Sequence, residues 1–329
     1  MKENEIRKID LLNVNLLQLK PIDRLKELYD FYNKNMSKFF DGSGDPIKKY
    51  FKKVVCPMCG NVTHQEKVTI DHFRYVECLE CNTIYNDLQL KQSILEEMYK
   101  SGEYNKYFDK LIIPSQFLRK NVLEQRKYRQ IASFFDEAGK ILDVGCGTGS
   151  FLKVFQENGW DVCGLDPSDS AVHVAKERYG LDITQDYFEN YSSKEKFDCI
   201  TFWGLEHLSD PLGGMQKAVK LLDNNGFIVF EGPSADCFLM KYLCENNFSP
   251  YRYIESARHV LFFSRRSIDL ICERFGLKIA YIETIGLDIQ TILLYDFDDE
   301  VIEKVMDIQR VINKLLLGDH YRVFLKKNA

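Results

Sequence analysis

The sequence predicts an α/β fold with a doubly wound, mainly parallel sheet, and three segments support this prediction. Residues 141–152 read as a short apolar strand, a glycine-rich turn and the start of a helix. A second strand, 161–165, ends in Asp166, and the segment 197–211 begins as an apolar strand and ends in a polar cluster. Strands that alternate with helices in this way typically form βαβ units with a parallel sheet.

The glycine-rich turn is a candidate ligand site. Gly145, Gly147 and Gly149 occupy alternate positions after the first strand. Glycine lets the backbone approach a ligand that a side chain would displace, and the following helix directs its free N–H groups toward the same place. Asp166 lies twenty-one residues after Gly145, where a carboxylate can accept hydrogen bonds from both hydroxyls of a ribose.

The spacing of the glycines distinguishes this turn from a dinucleotide-binding turn, which reads G-x-G-x-x-G. The chain has G-x-G-x-G preceded by Asp143, which resembles motif I of the class I S-adenosylmethionine (SAM) methyltransferases. The resemblance implies a SAM pocket formed by Asp143, the three glycines, Asp166 and Trp203, with Asp186 near the adenine amine. An ordinary glycine-rich turn is the alternative interpretation.

Two further segments agree with this resemblance. Glu206 and His207 follow the fourth strand, as in methyltransferases of the ubiquinone O-methyltransferase type and in sugar methyltransferases. Residues 259–264 resemble the H-x-x-F-F-S segment of the same proteins, and Ser264 is a good helix N-cap. The resemblance covers about residues 120–297 and implies a seven-stranded, mainly parallel methyltransferase sheet.

The chemistry of methyl transfer then selects candidate catalytic residues. The reaction is an in-line displacement, and a hydroxyl acceptor needs a positioned base. We expect His207 or His259 to be that base, with His207 preferred because the motif places it at the carboxyl end of a strand. Glu206 orients His207 or binds substrate, and Tyr253 and Glu255 are expected to converge on the same site. A histidine that only bonds its own loop is the alternative.

The connection 233–263 is longer than an ordinary loop and is interpreted as a substrate insert. Several arginines in or near it could hold a diphosphate, although charged loop residues are usually just solvated. Aromatic residues before the glycine turn could close the site from above. These residues are Arg252, Arg258, Arg265, Arg266, Tyr104 and Tyr107.

Two C-x-x-C pairs separated by eighteen residues form the second strong pattern. This spacing can place four thiolates tetrahedrally around Zn²⁺. The intervening chain, with apolar runs 68–70 and 73–76, suits a β-hairpin. We interpret His64 and His72 as surface residues, because four thiolates already complete a structural site. The alternative is a set of buried free thiols. The predicted ligands are Cys56, Cys59, Cys78 and Cys81.

Composition bounds the function classes. The chain has 329 residues and a formal net charge of −5, which argues mildly against a nucleic-acid partner. A zinc-ribbon RNA methyltransferase is therefore a less favoured alternative, despite a small basic run at residues 48–53. The chain contains no run of 18 apolar residues, so no membrane span is predicted. Residues 1–5 are too polar for a signal peptide. A cytoplasmic location is expected.

The leading hypothesis is a methyltransferase that acts on a hydroxyl or activated carbon of a nucleotide-linked sugar or surface-glycan precursor. The alternative acceptor is a quinone-like or natural-product small molecule, and a homodimer is possible. The predicted segments are an N-terminal helical segment and linker (1–46), a zinc ribbon (47–90), a helical connector (91–138), a SAM-binding domain (139–297) and a C-terminal helix (298–329).

Overall fold

A computed structural model describes residues 30, 34–100, 119–246, 259–293 and 299–328. Most of the predicted N-terminal helical segment lies outside these residues. So do six residues that the sequence singles out in the connector and the substrate insert, namely Tyr104, Tyr107, Arg252, Tyr253, Glu255 and Arg258.

Twelve strands are present in the described part of the chain. They are β1 (Phe51–Lys53), β2 (His64–Ile70), β3 (Phe73–Cys78), β4 (Ile84–Asn86), β5 (Leu88–Leu90), β6 (Lys140–Val144), β7 (Asp161–Leu165), β8 (Phe197–Phe202), β9 (Leu222–Pro233), β10 (Leu261–Phe262), β11 (Leu277–Thr284) and β12 (His320–Lys327).

Nine α-helices accompany them within the same described ranges. They are α1 (Gln92–Lys100), α2 (Gln125–Ala132), α3 (Ser150–Glu157), α4 (Asp169–Tyr179), α5 (Pro211–Leu221), α6 (Phe238–Asn246), α7 (Arg265–Phe275), α8 (Asp288–Leu293) and α9 (Asp299–Lys314). A π-helical turn, Arg119–Glu124, leads directly into α2. None of the described helices is long and apolar enough to cross a membrane.

The main sheet has the strand order β11-β12-β9-β8-β6-β7. Strands β7, β6, β8 and β9 are mutually parallel, whereas β12 runs antiparallel to both β9 and β11. The α/β fold with a mainly parallel arrangement is confirmed. Within the described residues the main sheet contains six strands rather than the expected seven. The edge position beyond β7 holds only a parallel bridge between Leu165 and Thr184.

The C-terminal prediction is wrong in one respect. Residues 298–329 were expected to be a helix, but α9 ends at Lys314 and β12 follows it into the sheet between β9 and β11. Burial on both faces explains the strand. Arg322, only 2% exposed, donates to Glu231 at 2.7 Å and to Gln130 at 2.6 Å, so its charge is compensated inside the fold.

The cysteine-rich segment forms a separate small sheet with the order β10-β4-β3-β2. The predicted hairpin is present as β2 and β3, and residues 71 and 72 at its turn both have positive φ. Strand β10 comes from the end of the substrate insert (233–263) and pairs with β4, Leu261 opposite Tyr85. The cysteine-rich sheet is therefore completed by a strand that belongs to the glycine-turn domain in sequence.

Candidate functional site

The glycine turn lies between β6 and α3 at the carboxyl end of the parallel strands. Gly145, Gly147 and Gly149 have φ values of 73°, 54° and 76°, a region that side chains rarely adopt. The amide of Gly145 donates to the carbonyl of Leu165 at 2.9 Å, which ties the turn to β7. The three glycines are thus required by the backbone; a Cβ at Gly145 would meet no atom within 4 Å, whereas one at Gly149 would lie 2.8 Å from Leu181.

Asp166 follows β7 and faces this turn. Its two carboxylate oxygens accept hydrogen bonds from the amides of Gly147 (2.8 Å) and Ser168 (2.9 Å). The residue is 4% exposed, and burial raises the pKa of its carboxyl to about 6. Each oxygen still has a lone pair for a further donor, so the side chain is fixed in place and able to receive ribose hydroxyls.

Asp143 ends β6 beneath the turn and is fully buried. Thr201 donates to its Oδ1 at 2.6 Å, whereas its Oδ2 has no hydrogen-bond partner among the described residues. Burial raises the pKa of Asp143 to about 8, partly offset by Thr201 and the charge of Lys127. A buried carboxylate oxygen without a partner is costly, and an ammonium group of a ligand would satisfy it.

Trp203 borders the same region. Its ring packs edge-on against Phe151, with ring centroids 4.9 Å apart, and the ammonium of Lys127 lies 3.7 Å from its ring centroid. The buried indole Nε1 has no hydrogen-bond partner in the described part of the chain. Sequence reasoning missed Lys127 and Thr201, because neither belongs to a recognisable motif. The donors and acceptors that lack partners here fit a ligand with a ribose and an amino-acid group, as SAM has.

Asp186 lies just beyond the edge bridge at Thr184. Its Oδ1 accepts from the side chain of Asn190 (2.8 Å) and the amide of Tyr187 (2.7 Å), and these bonds lower the pKa of its carboxyl. The side chain is half-buried and ionised at neutral pH. Its expected position near an adenine amine stays a prediction.

Replacing Asp166 with alanine is expected to weaken binding of S-adenosylhomocysteine (SAH) by about 1–3 kcal/mol, because acceptors for two hydrogen bonds are lost. Isothermal titration calorimetry measures this change. Asp169→Ala is the matched control, since Asp169 is exposed at the start of α4. Unchanged affinity in Asp166→Ala would refute the ribose assignment.

The affinity for SAH should rise with pH between about 5 and 8. The ionised forms of Asp166 and Asp143 are the better acceptors for hydroxyls and an ammonium, and their pKa values of about 6 and about 8 place both ionisations in this window. The ligand-free fold should show the opposite trend. Because both pKa values are raised on folding, ionisation is penalised in the folded state, and these groups stabilise it less as pH rises. Calorimetry across this pH range checks the rise in SAH affinity, and denaturant titrations check the fall in stability of the ligand-free protein. A SAH affinity independent of pH would contradict the assignment of Asp166 and Asp143 to the cofactor site.

The acceptor side of the site brings together Glu206, His207 and His259. Glu206 and His207 belong to a 3₁₀ turn after β8, and His259 precedes β10. The imidazole rings of His207 and His259 are 5.2 Å apart between centroids, tilted by 32°. One ligand atom from each of the three residues lies within 4.8 Å of the others. The two histidines that the sequence offers as alternative bases are therefore neighbours.

The local chain explains how His207 reaches this position. A Cβ at Gly204 would lie 2.6 Å from Cδ2 of His207, so a side chain at position 204 would displace the imidazole. Nε2 of His207 is 3.6 Å from Oε1 of Glu206, too long for a hydrogen bond. Burial raises the pKa of Glu206 to about 8, so its carboxyl is mostly neutral at pH 7 and the contact is not a charged pair there.

The remaining residues predicted for the acceptor side do not all lie in the described part of the chain. Tyr253 and Glu255 lie outside the described residues. Arg265 and Arg266 lie on α7, where they pair with Asp269 (3.2 Å) and Glu273 (2.6 Å), and both are about half exposed. Their role in holding a diphosphate stays a prediction.

The four cysteines of the two C-x-x-C pairs converge at one end of the small sheet. Sγ atoms of Cys56 and Cys81 are 3.5 Å apart and those of Cys59 and Cys78 are 3.4 Å apart, with all four within 4.8 Å of one another. A tetrahedron of Zn–S bonds of about 2.3 Å has sulfur–sulfur edges of about 3.8 Å. The cysteines thus fit one tetrahedral metal ion without rearrangement of the chain.

The two cysteine turns have the same backbone design. The residue after the second cysteine of each pair, Gly60 or Asn82, has positive φ, at 78° and 56°. Its amide donates at 2.9 Å to the carbonyl of the first cysteine, Cys56 or Cys78. Glycine and asparagine are the residues that tolerate this conformation best. His64 is half-buried beside Tyr85 and His72 is exposed, so neither is needed as a ligand.

The chain is similar to known methyltransferases in sequence and in fold. A family model described as "Methyltransferase domain" matches residues 116–282, just over half of the chain. A ubiquinone biosynthesis O-methyltransferase of Actinobacillus pleuropneumoniae serotype 7 is 36% identical over 103 residues, 28% of this chain and 44% of that protein. The chain thus spans less than half the length of this curated relative. An uncharacterized methyltransferase of Staphylococcus carnosus is 25% identical over 205 residues, 56% of this chain and 91% of that protein.

Among solved structures, a SAM-dependent methyltransferase of Thermotoga maritima, described as a possible histamine N-methyltransferase, covers 72% of this chain and 99% of its own length with 15% identity and a TM-score of 0.46. A sugar N-methyltransferase of Streptoalloteichus covers 36% of this chain and 51% of its own length, with 17% identity and a TM-score of 0.33.

Proposed function

Because the chain belongs to the SAM-dependent methyltransferases, we propose that it methylates a hydroxyl or an activated carbon of a nucleotide-linked sugar or surface-glycan precursor. The observation that carries the base-assisted reaction in this proposal, for either class of acceptor, is the convergence of Glu206, His207 and His259 at the carboxyl end of β8. Acceptors of this class lose a proton as they are methylated, so they need a base beside the acceptor atom.

The residues on the cofactor side of the site would bind SAM and orient it. When bound, SAM supplies an electrophilic methyl carbon to a nucleophile. Asp166 would accept hydrogen bonds from the ribose hydroxyls, and the glycine turn would admit the ligand close to the backbone. The unpartnered Oδ2 of Asp143 would receive the ammonium group. Holding the ligand at several points reduces the entropy lost on reaching the reactive geometry.

The histidine pair removes the acceptor proton. A proton taken up by His207 places a positive charge 3.6 Å from Oε1 of Glu206. That charge favours ionisation of the buried Glu206 carboxyl, whose pKa of about 8 otherwise keeps it neutral at pH 7. Glu206 can thus stabilise the protonated histidine, and His259, 5.2 Å away between ring centroids, closes the other side of the same space.

The cysteine cluster is proposed to hold one structural Zn²⁺. The sulfur–sulfur distances match a tetrahedral site, and four thiolates leave no open coordination position for a substrate. The buried residues of the small sheet, such as Phe73, Tyr75 and Ile84, pack in a cluster that other segments share, and metal binding would add to the folding free energy of this region. Cysteines in this arrangement would release their protons on binding the ion.

A quinone-like or natural-product hydroxyl is the second candidate acceptor. It is favoured by the relatives, since two ubiquinone biosynthesis O-methyltransferases are 36% and 37% identical to this chain over 103 residues. The same base chemistry serves a phenolic hydroxyl. The two proposals therefore name different acceptors above the histidines, but the same base removes the proton in both.

An acceptor screen separates the two candidates. The protein is incubated with SAM and separate panels of nucleoside-diphosphate sugars, including keto sugars, and of catechols and hydroquinones, and products heavier by one CH₂ are sought by mass spectrometry. Methylation of a nucleotide-linked sugar that is lost in Asp166→Ala supports the leading proposal. Methylation confined to the phenolic panel would replace it with the second candidate.

A further inference from the structure

The segment that carries His259 is held by the cysteine-rich ribbon (residues 51–90). Strand β10 is the fourth strand of the ribbon sheet and pairs through Leu261 with Tyr85 and through Phe262 with Ile84. The amide of Asn86 extends this pairing by donating to the carbonyl of Val260 at 3.1 Å. His259 is therefore the residue directly before a backbone ladder that the ribbon provides.

Two side-chain contacts reinforce the ladder at either end. At the His259 end, the hydroxyl of Tyr75 donates to the His259 carbonyl at 3.2 Å. The Tyr75 side chain is fully buried, and its ring packs edge-on against Phe262 with centroids 5.6 Å apart. At the other end, the hydroxyl of Ser264 donates to the carbonyl of Cys81, one of the four clustered cysteines.

The same segment is also anchored to the main sheet. The amide of Phe263 donates to the carbonyl of Pro233, and the amide of Ala235 donates to the carbonyl of Phe263, both at 2.8 Å. Residues 259–264 thus lie between the end of β9 and the ribbon. On the ribbon side the Tyr75 hydroxyl contacts the backbone of His259, and on the main-sheet side two backbone hydrogen bonds hold Phe263.

We infer that the ribbon, through Tyr75, is a positioning element that sets the distance between His259 and His207. His207 is placed by β8 of the main sheet, and His259 is placed by the ribbon, so the 5.2 Å separation of their rings depends on both bodies. Tyr75 acts through the His259 backbone and is a positioning residue. The inference rests on the proposed function only in assigning His259 to the acceptor side.

Histidine NMR tests this without turnover. The chain has six histidines, so ring-labelled histidine gives six assignable signals, and His207→Gln and His259→Gln each remove one. Rings 5.2 Å apart between centroids give a proton–proton NOE. In SAH-loaded protein, Tyr75→Phe should weaken the His207–His259 cross-peak by at least about twofold, because the His259 carbonyl loses the hydrogen bond that holds its backbone against the ribbon.

Tyr85→Phe is the matched control. Tyr85 is also a fully buried ribbon tyrosine, but its hydroxyl lies 3.4 Å from Nδ1 of His64, so its cross-peak should equal that of the wild type. SAH affinity measured by calorimetry should be unchanged in both variants, which shows that the cofactor domain is intact. If Tyr75→Phe does not fold, Ser264→Ala removes the contact to Cys81 and is expected to weaken the same cross-peak.

An unchanged cross-peak in folded Tyr75→Phe overturns the inference, and so does equal weakening in Tyr85→Phe, which would indicate a general loosening of the ribbon. The proposed function fails by a different route. A His259→Ala variant with a normal methylation rate would remove His259 as a base while leaving the NOE dependence on Tyr75 as predicted.

Discussion

Replacing either His207 or His259 with alanine is expected to lower methyl transfer by about 10²–10⁴-fold, the usual cost of losing a general base. The two rings are adjacent and share one space above Glu206, so we expect the larger loss for the histidine that takes the proton and a smaller loss for its neighbour. SAH affinity should be unchanged in both variants, because the cofactor contacts lie on the glycine turn and Asp166. Turnover on the acceptor found by the screen is the measurement.

His173→Ala is the matched control for these variants, since His173 is exposed on α4 and away from the pair. Near-normal rates for both His207→Ala and His259→Ala would show that neither histidine is the base. Proton removal would then depend on a carboxylate such as Glu255 or on the positioning of the acceptor alone.

Removing the metal from the cysteine cluster is expected to unfold the ribbon. Structural zinc binding contributes on the order of 10–16 kcal/mol in small zinc domains at neutral pH, more than a small sheet of short strands can replace. Chelation, or Cys81→Ser, should abolish one bound zinc per chain and the hydrogen-exchange protection of β2–β4 amides. SAH affinity should persist, because β6 and β7 belong to the other sheet.

Cys272→Ser controls for the loss of a thiol, because Cys272 is half-buried on α7 outside the cluster. It should keep its zinc and its exchange protection. Elemental analysis that finds no zinc in protein purified without a chelator, together with a protected ribbon, would show that the four thiols fold the segment without a metal.

The cofactor half of the site was accessible from sequence because its chemistry is local. A glycine turn needs positive φ at fixed positions, and the strand that ends in Asp166 has a fixed spacing from it. Both features are present where the sequence placed them, with β7 at Asp161–Leu165 as predicted. The four clustered cysteines were accessible for the same reason, since each pair makes its own turn.

Other features depend on contacts between distant segments. Lys127 reaches Trp203 only because α2 packs on the sheet, and no motif marks it. The pairing of β10 with β4 joins segments about 180 residues apart, which a single sequence does not reveal. The strand β12 was not predicted, because the segment 298–329 was assigned from the helical pattern of residues 299–317 alone, and β12 pairs with β9, about 90 residues away in sequence.

A crystal structure of the protein with SAH tests the central claim most directly, namely that the glycine turn and the histidine pair form one active site. We predict that the Asp166 carboxylate accepts from both ribose hydroxyls, that Oδ2 of Asp143 receives the ammonium group, and that His207 and His259 face the sulfur across an open space for the acceptor. SAH bound with its sulfur directed away from both histidines, or with its ribose remote from Asp166, would contradict the account.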